Sequence, residues 1–184
     1  MKAIPQRKFI TKALVSFGGL GLAIASINGS ALAQDKPLSV IGQQTGLQLY
    51  DKDKADTCVD GALQIRATIN NVTSGGILKV ELFGKKDFLK KEGKLRRIRV
   101  PAQDGSQRVC MNLPAPGEFA LVTYNDLDGD RRLKKAWNYK PKEPYGLSNN
   151  PKIKSLRMPK FSESRFIVPM SGADISIDLV DLSK

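Results

Sequence analysis

Histidine is absent from all 184 residues. Its absence excludes Ser-His-Asp and Cys-His catalysis, which use an imidazole to move a proton near neutral pH. It also excludes nearly every zinc or copper site, because imidazole is their usual ligand. Cysteine is scarce at two residues, and tryptophan scarcer still at one. After residue 27 no apolar run approaches the roughly 20 residues that a membrane-spanning helix requires. Internal repeats and low-complexity tracts are missing, and no segment keeps a helical period for more than about two turns.

What is present begins with a secretory layout. Lys2, Arg7, Lys8 and Lys12 form a basic start, Ala13 to Ile27 an uncharged apolar run, and Ala31-Leu32-Ala33 a small-residue cleavage site before Gln34. The expectation is a signal peptide over residues 1–33, cut between Ala33 and Gln34, and a periplasmic or secreted mature protein. Cleavage removes four basic residues and no acidic ones, so the net charge falls from +12 to +8. A basic exported protein is drawn to anionic glycan or lipid surfaces, and nucleic acid is not an expected partner there. Cys58 and Cys110 both survive cleavage, and two cysteines in an exported chain predict one disulfide. In the strand expected at 107–113, Cys110 shares the outward parity of Arg108 and Asn112. The bond should therefore staple the N-terminal residues to the outside of the domain.

Residues 34–60 show no sustained period and read as an extension leading into a domain at 61–184. From there, apolar and polar residues alternate with period two, as half-buried strands do. Strands are predicted at Ala62 to Val72, Ile77 to Phe83, Arg96 to Val100, Gln107 to Leu113, Glu118 to Tyr124, Arg165 to Met170 and Asp174 to Val180. The fifth is apolar on both faces, as a central strand should be. Ser171-Gly172 reads as a hairpin turn, and Lys86 to Lys94 as one short turn of helix. The expected fold is all-β, a single antiparallel sandwich of about seven strands; a small closed barrel is the alternative.

Residues 126–162 break the rhythm. They carry four prolines and four large aromatics, Trp137, Tyr139, Tyr145 and Phe161, too many rings for a disordered segment. An ordered crossover packed on the sandwich is expected. Within it, Tyr124-Asn125-Asp126, the acidic turn and Pro141-Lys142-Glu143-Pro144-Tyr145-Gly146-Leu147-Ser148-Asn149-Asn150 resemble the bacterial domain of unknown function 2141 family. The likeness spans about residues 61 to 182. It includes Gly75-Gly76-Ile77-Leu78-Lys79-Val80, the Pro-Gly turn before strand five, and Met158-Pro159-Lys160-Phe161. The resemblance implies an exported bacterial β-sandwich of immunoglobulin-like or prealbumin-like kind, and no established activity.

Three sets of residues carry candidate chemistry. Asp126, Asp128 and Asp130 have the spacing with which a calcium loop begins, but Arg131, Lys134 and Trp137 stand where such a loop needs glycine, a ligand and glutamate. A turn held by its own side chains is the leading expectation, with Trp137 and Tyr145 pinning the crossover to the core. A weak calcium site is the alternative, and no other cofactor is expected. Trp137, Tyr145, Ser148, Asn149 and Asn150 combine rings with amides and a hydroxyl, a set suited to a sugar or peptide ligand or to a structural loop. Lys90, Lys91, Arg96 and Arg97 belong to a basic run suited to an anionic surface or to plain solvation. No carboxylate pair stands out for hydrolysis. The reading is a non-catalytic envelope binding module for an anionic glycan or lipid surface. A calcium-stabilised structural module is second, and a hydrolase third.

Overall fold

The computed structural model describes Leu47 and residues 49–137, 140–152 and 157–182. The expected signal peptide, its cleavage site at Ala33 and Gln34, and the start of the extension lie outside the described residues. Eight strands form two packed sheets, a β-sandwich: β1 Gln64–Val72, β2 Ile77–Phe83, β3 Lys94–Pro101, β4 Gly105–Asn112, β5 Gly117–Asp126, β6 Tyr145–Leu147, β7 Arg165–Val168 and β8 Ala173–Asp178. One sheet has the order β4-β1-β8, the other β3-β2-β5-β6, with β7 also paired to β5. A single-turn helix, α1 (Phe161–Ser164), precedes β7.

Alternation sets which side chains meet between the sheets. Ile65, Ala67 and Ile69 of β1 face Leu78, Val80 and Leu82 of β2, with Ile98, Val109, Met111, Leu121, Val168 and Ile177 completing one apolar core. Fully burying each large aliphatic chain is worth roughly 1.5–3 kcal/mol. β5 is central, as its two apolar faces predicted, pairing with β2 on one side and with β7 then β6 on the other.

Several expectations need correction. The sandwich is mostly but not wholly antiparallel, because β1 and β8 run parallel from Ile65↔Ala173 to Asn70↔Asp178. That register is held by the Arg66 guanidinium, which donates through Nε and Nη2 to Asp174, its directly registered neighbour, at 2.8–3.2 Å. Ser171-Gly172 is no hairpin turn, since β7 and β8 belong to different sheets; it is a corner between layers. Lys86 to Lys94 forms no helix, as Asp87 and Leu89 take positive φ of 54° and 64° and break any helical turn. The crossover adds a short strand, β6, that alternation did not reveal.

Two glycines in the recognised motifs have steric reasons. Gly76, at φ +69°, lets the chain leave β1 for β2; a Cβ there would lie 1.9 Å from the Asp126 carbonyl oxygen. Gly146 brings β6 against β8, where a Cβ would meet the Asp178 carbonyl and the Ile177 side chain, each at 2.7 Å.

Residues ahead of β1 dress the outside of the sandwich. Cys58 bonds Cys110 across a Cα separation of 5.2 Å, an ordinary disulfide spacing. The bond lays residues 57–59 over β1, where Gln64 and Arg66 donate to the carbonyls of Thr57 and Val59. The outward parity expected for Cys110 holds, yet the overlying chain buries it fully. A disulfide in this position points to an oxidising, extracytoplasmic compartment. On the opposite face, Asp53 is buried in a 3-10 turn (Asp51–Asp53) and accepts from Arg97 at 3.0 Å and Arg99 at 2.5 Å.

Candidate functional site

The face of β2 turned away from the main core carries Lys79, Glu81 and Phe83. All three are buried. The crossover after β5 folds back over this face and closes a pocket of about 1100 Å³. Its floor is Lys79, Glu81 and Phe83 with Val122 and Tyr124 of β5 and Tyr145 and Leu147 of β6. Its walls come from Arg131, Arg132, Leu133, Lys135, Trp137, Lys140 and Pro141 and from Arg157, Met158 and Pro159, with Leu89 and Leu182 at the sides. Tyr124, Tyr145 and Leu147 form a second apolar cluster outside the main core, with Val122, Phe88, Leu133 and Leu182 packed on it.

One polar cluster interrupts the apolar floor. Lys79 Nζ donates to the Tyr124 hydroxyl at 2.8 Å and pairs with Glu81 at 2.8 Å, and Lys94 reaches the same Glu81 oxygen at 2.6 Å. Tyr124 in turn donates to the Arg131 carbonyl at 3.1 Å, tying the crossover to the sheet. Burial lowers the Lys79 ammonium from its ordinary value against the pull of Glu81. Burial likewise pushes the Tyr124 hydroxyl up, and the Tyr145 hydroxyl up to about 12. The outer face of this sheet holds Lys79, Lys94, Arg97 and Arg99 against Glu81 and Asp53, an excess of positive charge beside a mostly apolar cavity.

The structure divides the residues singled out from sequence. Trp137 and Tyr145 both line the pocket. Trp137 is not an anchor, however: it is 95% exposed at the pocket lip, while Tyr145 is buried in the floor. Ser148, Asn149 and Asn150 do not line it. At Leu121 the partner of β5 changes from β7 to β6, and the buried Ser148 hydroxyl accepts the Leu121 N–H there at 2.9 Å and donates to the Ser164 carbonyl. Asn149 donates to the Arg165 carbonyl at 2.7 Å, and Asn150 accepts the Asp178 N–H at 2.9 Å. The run splices β6 to β7 and β8 as a backbone surrogate would.

The basic run is also divided. Arg96 pairs with Asp56 at 2.5 Å and Arg97 with Asp53, so both serve the fold rather than a free surface. The hydrogen bond from Arg96 holds the Asp56 carboxyl below its usual range. Lys90 pairs with Asp87 at 2.9 Å, and Lys91 is exposed in the same loop. Other cationic side chains gather around the cavity. They are Arg131, Arg132, Lys135, Lys140 and Arg157, drawn from both arms of the crossover. Their clustering depends on how the loop folds back, which local pattern does not encode.

In the acidic turn, Asp126, Asp128 and Asp130 each bring a carboxylate oxygen within 4.8 Å of the others. Lys134 pairs with Asp128 and lies 3.7 Å from Asp130. The hydrogen bond from Lys134 lowers the Asp128 carboxyl, whereas burial raises those of Asp126 and Glu143. Asp126 and Asp130 also accept the N–H groups of Arg131 and Arg132 at 2.6 and 2.8 Å. The turn is thus shaped by its own side chains, as expected.

Fold and site together define a two-sheet β-sandwich with a basic-lipped pocket on one outer face. A family model described as "Uncharacterized protein conserved in bacteria (DUF2141)" matches residues 67–176, and the chain belongs to that family. No curated protein and no solved structure matches it significantly.

Proposed function

We propose that the protein is a non-catalytic binding module of the bacterial envelope, whose pocket over the five-stranded sheet takes an anionic glycan or lipid. The observation that carries this reading is the composition of the lining, which among the described residues is six basic side chains, one acid and otherwise aliphatic, aromatic and proline residues. A large, mostly apolar cavity with a few charged groups is the usual form of a ligand site. Among the described residues Glu81 is the one carboxylate of the lining and is bound to two lysines, which argues against the paired carboxylates of glycoside hydrolysis. The disulfide supports an exported location, and the periplasm or the cell exterior is the setting in which such ligands are met.

Trp137 supplies the assay. As the sole tryptophan, standing on the pocket lip, its fluorescence reports occupancy without a label. Titrating the purified protein with anionic envelope lipids and acidic glycans should shift that emission saturably. Reversing the charge of Lys135 and Lys140 should weaken the response. Emission indifferent to every anionic fraction would dismiss the reading.

A further inference from the structure

Resting on the pocket reading above, we infer that the ligand is an anionic amphiphile with a long acyl or alkyl chain, seated with its chain in the cavity and its head at the basic lip. The first ground is what the lining lacks. Among the described residues it contains no Asn, Gln, Asp, Ser or Thr side chain. Sugars present a hydroxyl on nearly every carbon, and a site for them needs such amides, carboxylates and hydroxyls to satisfy hydrogen bonds that burial would otherwise strand. The candidate amides, Asn149 and Asn150, are spent on the backbone of neighbouring strands. A hydrocarbon chain makes no such demand, and Phe83, Val122, Leu133 and Leu147 offer it continuous apolar contact.

The second ground is charge. The outer sheet face carries more cations than carboxylates, and Arg132 and Lys135 stand exposed on the wall. A neutral lipid would leave that excess unanswered, while one anionic head complements it. The third is the lip itself. Trp137 at 95% and Met158 at 53% exposure flank the opening among lysines and arginines. Tryptophan beside basic residues is the composition that proteins place at the level of lipid head groups. The cavity, at about 1100 Å³, lies just above the ordinary range for ligand pockets and has room for an extended chain.

A chain-length ladder tests this directly. Fatty carboxylates and alkyl phosphates of eight to fourteen carbons, below their micelle concentrations, are titrated into the purified protein with Trp137 fluorescence and calorimetry as readouts. Each methylene buried should tighten binding about fourfold, the equivalent of about 0.8 kcal/mol. Alkyl maltosides of equal length should bind about tenfold more weakly. Comparing the carboxylate and phosphate series separates the two possible head groups. Arg132→Glu with Lys135→Glu, both exposed positions whose melting temperature should not move, should erase the preference for charged heads. Leu133→Asp should flatten the ladder. Affinity that is independent of chain length, or equal for neutral and charged heads, overturns the inference. If an oligogalacturonate binds while the ladder is flat, the anionic-ligand function stands and the lipid assignment falls. If neither binds, both fall.

Discussion

The Lys134 ammonium bridges Asp128 and Asp130 across the acidic turn. A calcium ion drawn to that turn would have to displace a cation the chain supplies itself, with Asp126 buried and already accepting the Arg131 N–H. Millimolar calcium, or its removal by a chelator, should therefore leave the melting temperature within about a degree of its starting value. A rise of several degrees would make the turn a metal site.

Trp137 and Tyr145 should behave oppositely on truncation. Trp137→Ala removes an exposed ring and should change stability by no more than about 0.5 kcal/mol. Tyr145→Ala empties part of the second apolar cluster and should cost about 3 kcal/mol or more. Urea denaturation of the two variants provides the comparison.

These two residues also show where the sequence stops being informative. Alternation identified the sheet positions because a strand's period is a local property: Leu78, Val80 and Leu82 do face the core. It does not reveal that Lys79 and Glu81 on the other face are buried, because the loop that covers them lies some fifty residues away. Aromatic content pointed to packing of the crossover on the sandwich, and Tyr145 packs there, but content does not say which ring turns inward. Arg96 and Arg97 read as a free basic surface because their partners, Asp56 and Asp53, lie 40 and 44 residues earlier. The parallel β1–β8 pair was hidden for a related reason, since alternation fixes the face of a strand and not its neighbour.

Ser148→Ala should be costly for so small a change. It strands the Leu121 N–H at a buried junction between strands, a loss of about 1–3 kcal/mol. Thermal unfolding would show it, and an effect near zero would mean that the junction rearranges.

Glu143 is nearly fully buried beside the acidic turn, where it accepts the Lys134 N–H at 3.1 Å. Burial raises its carboxyl above the usual 4.5. The folded state then holds this proton more tightly than the unfolded one. The resulting stabilisation is present below the unfolded value and is lost as pH rises through the raised folded value. Glu143→Gln removes that slope. The variant should gain melting temperature relative to the native protein as pH rises above the ordinary 4.5. A difference that stays constant with pH would contradict the assignment.

Reducing the disulfide should free residues 54–60 and lower stability by about 4 kcal/mol, the chain-entropy value for a separation of 52 residues. Denaturation with and without reductant measures it, and hydrogen exchange should localise the loosening to that segment and the outer face of β1.

The parallel strand pair also dictates an order of assembly. β1 lies between β4 and β8, and Arg66 must wait for Asp174, 108 residues later, before its sheet is complete. β2, β3 and β5 can associate well before that, so a chain emerging N-terminus first would carry β1 with one edge open until residues 173–178 arrive. Long-range closure of this kind is slow. On the proposal that the chain is exported unfolded, that slowness would be useful: β1 and β8 cannot pair before residues 173–178 have crossed.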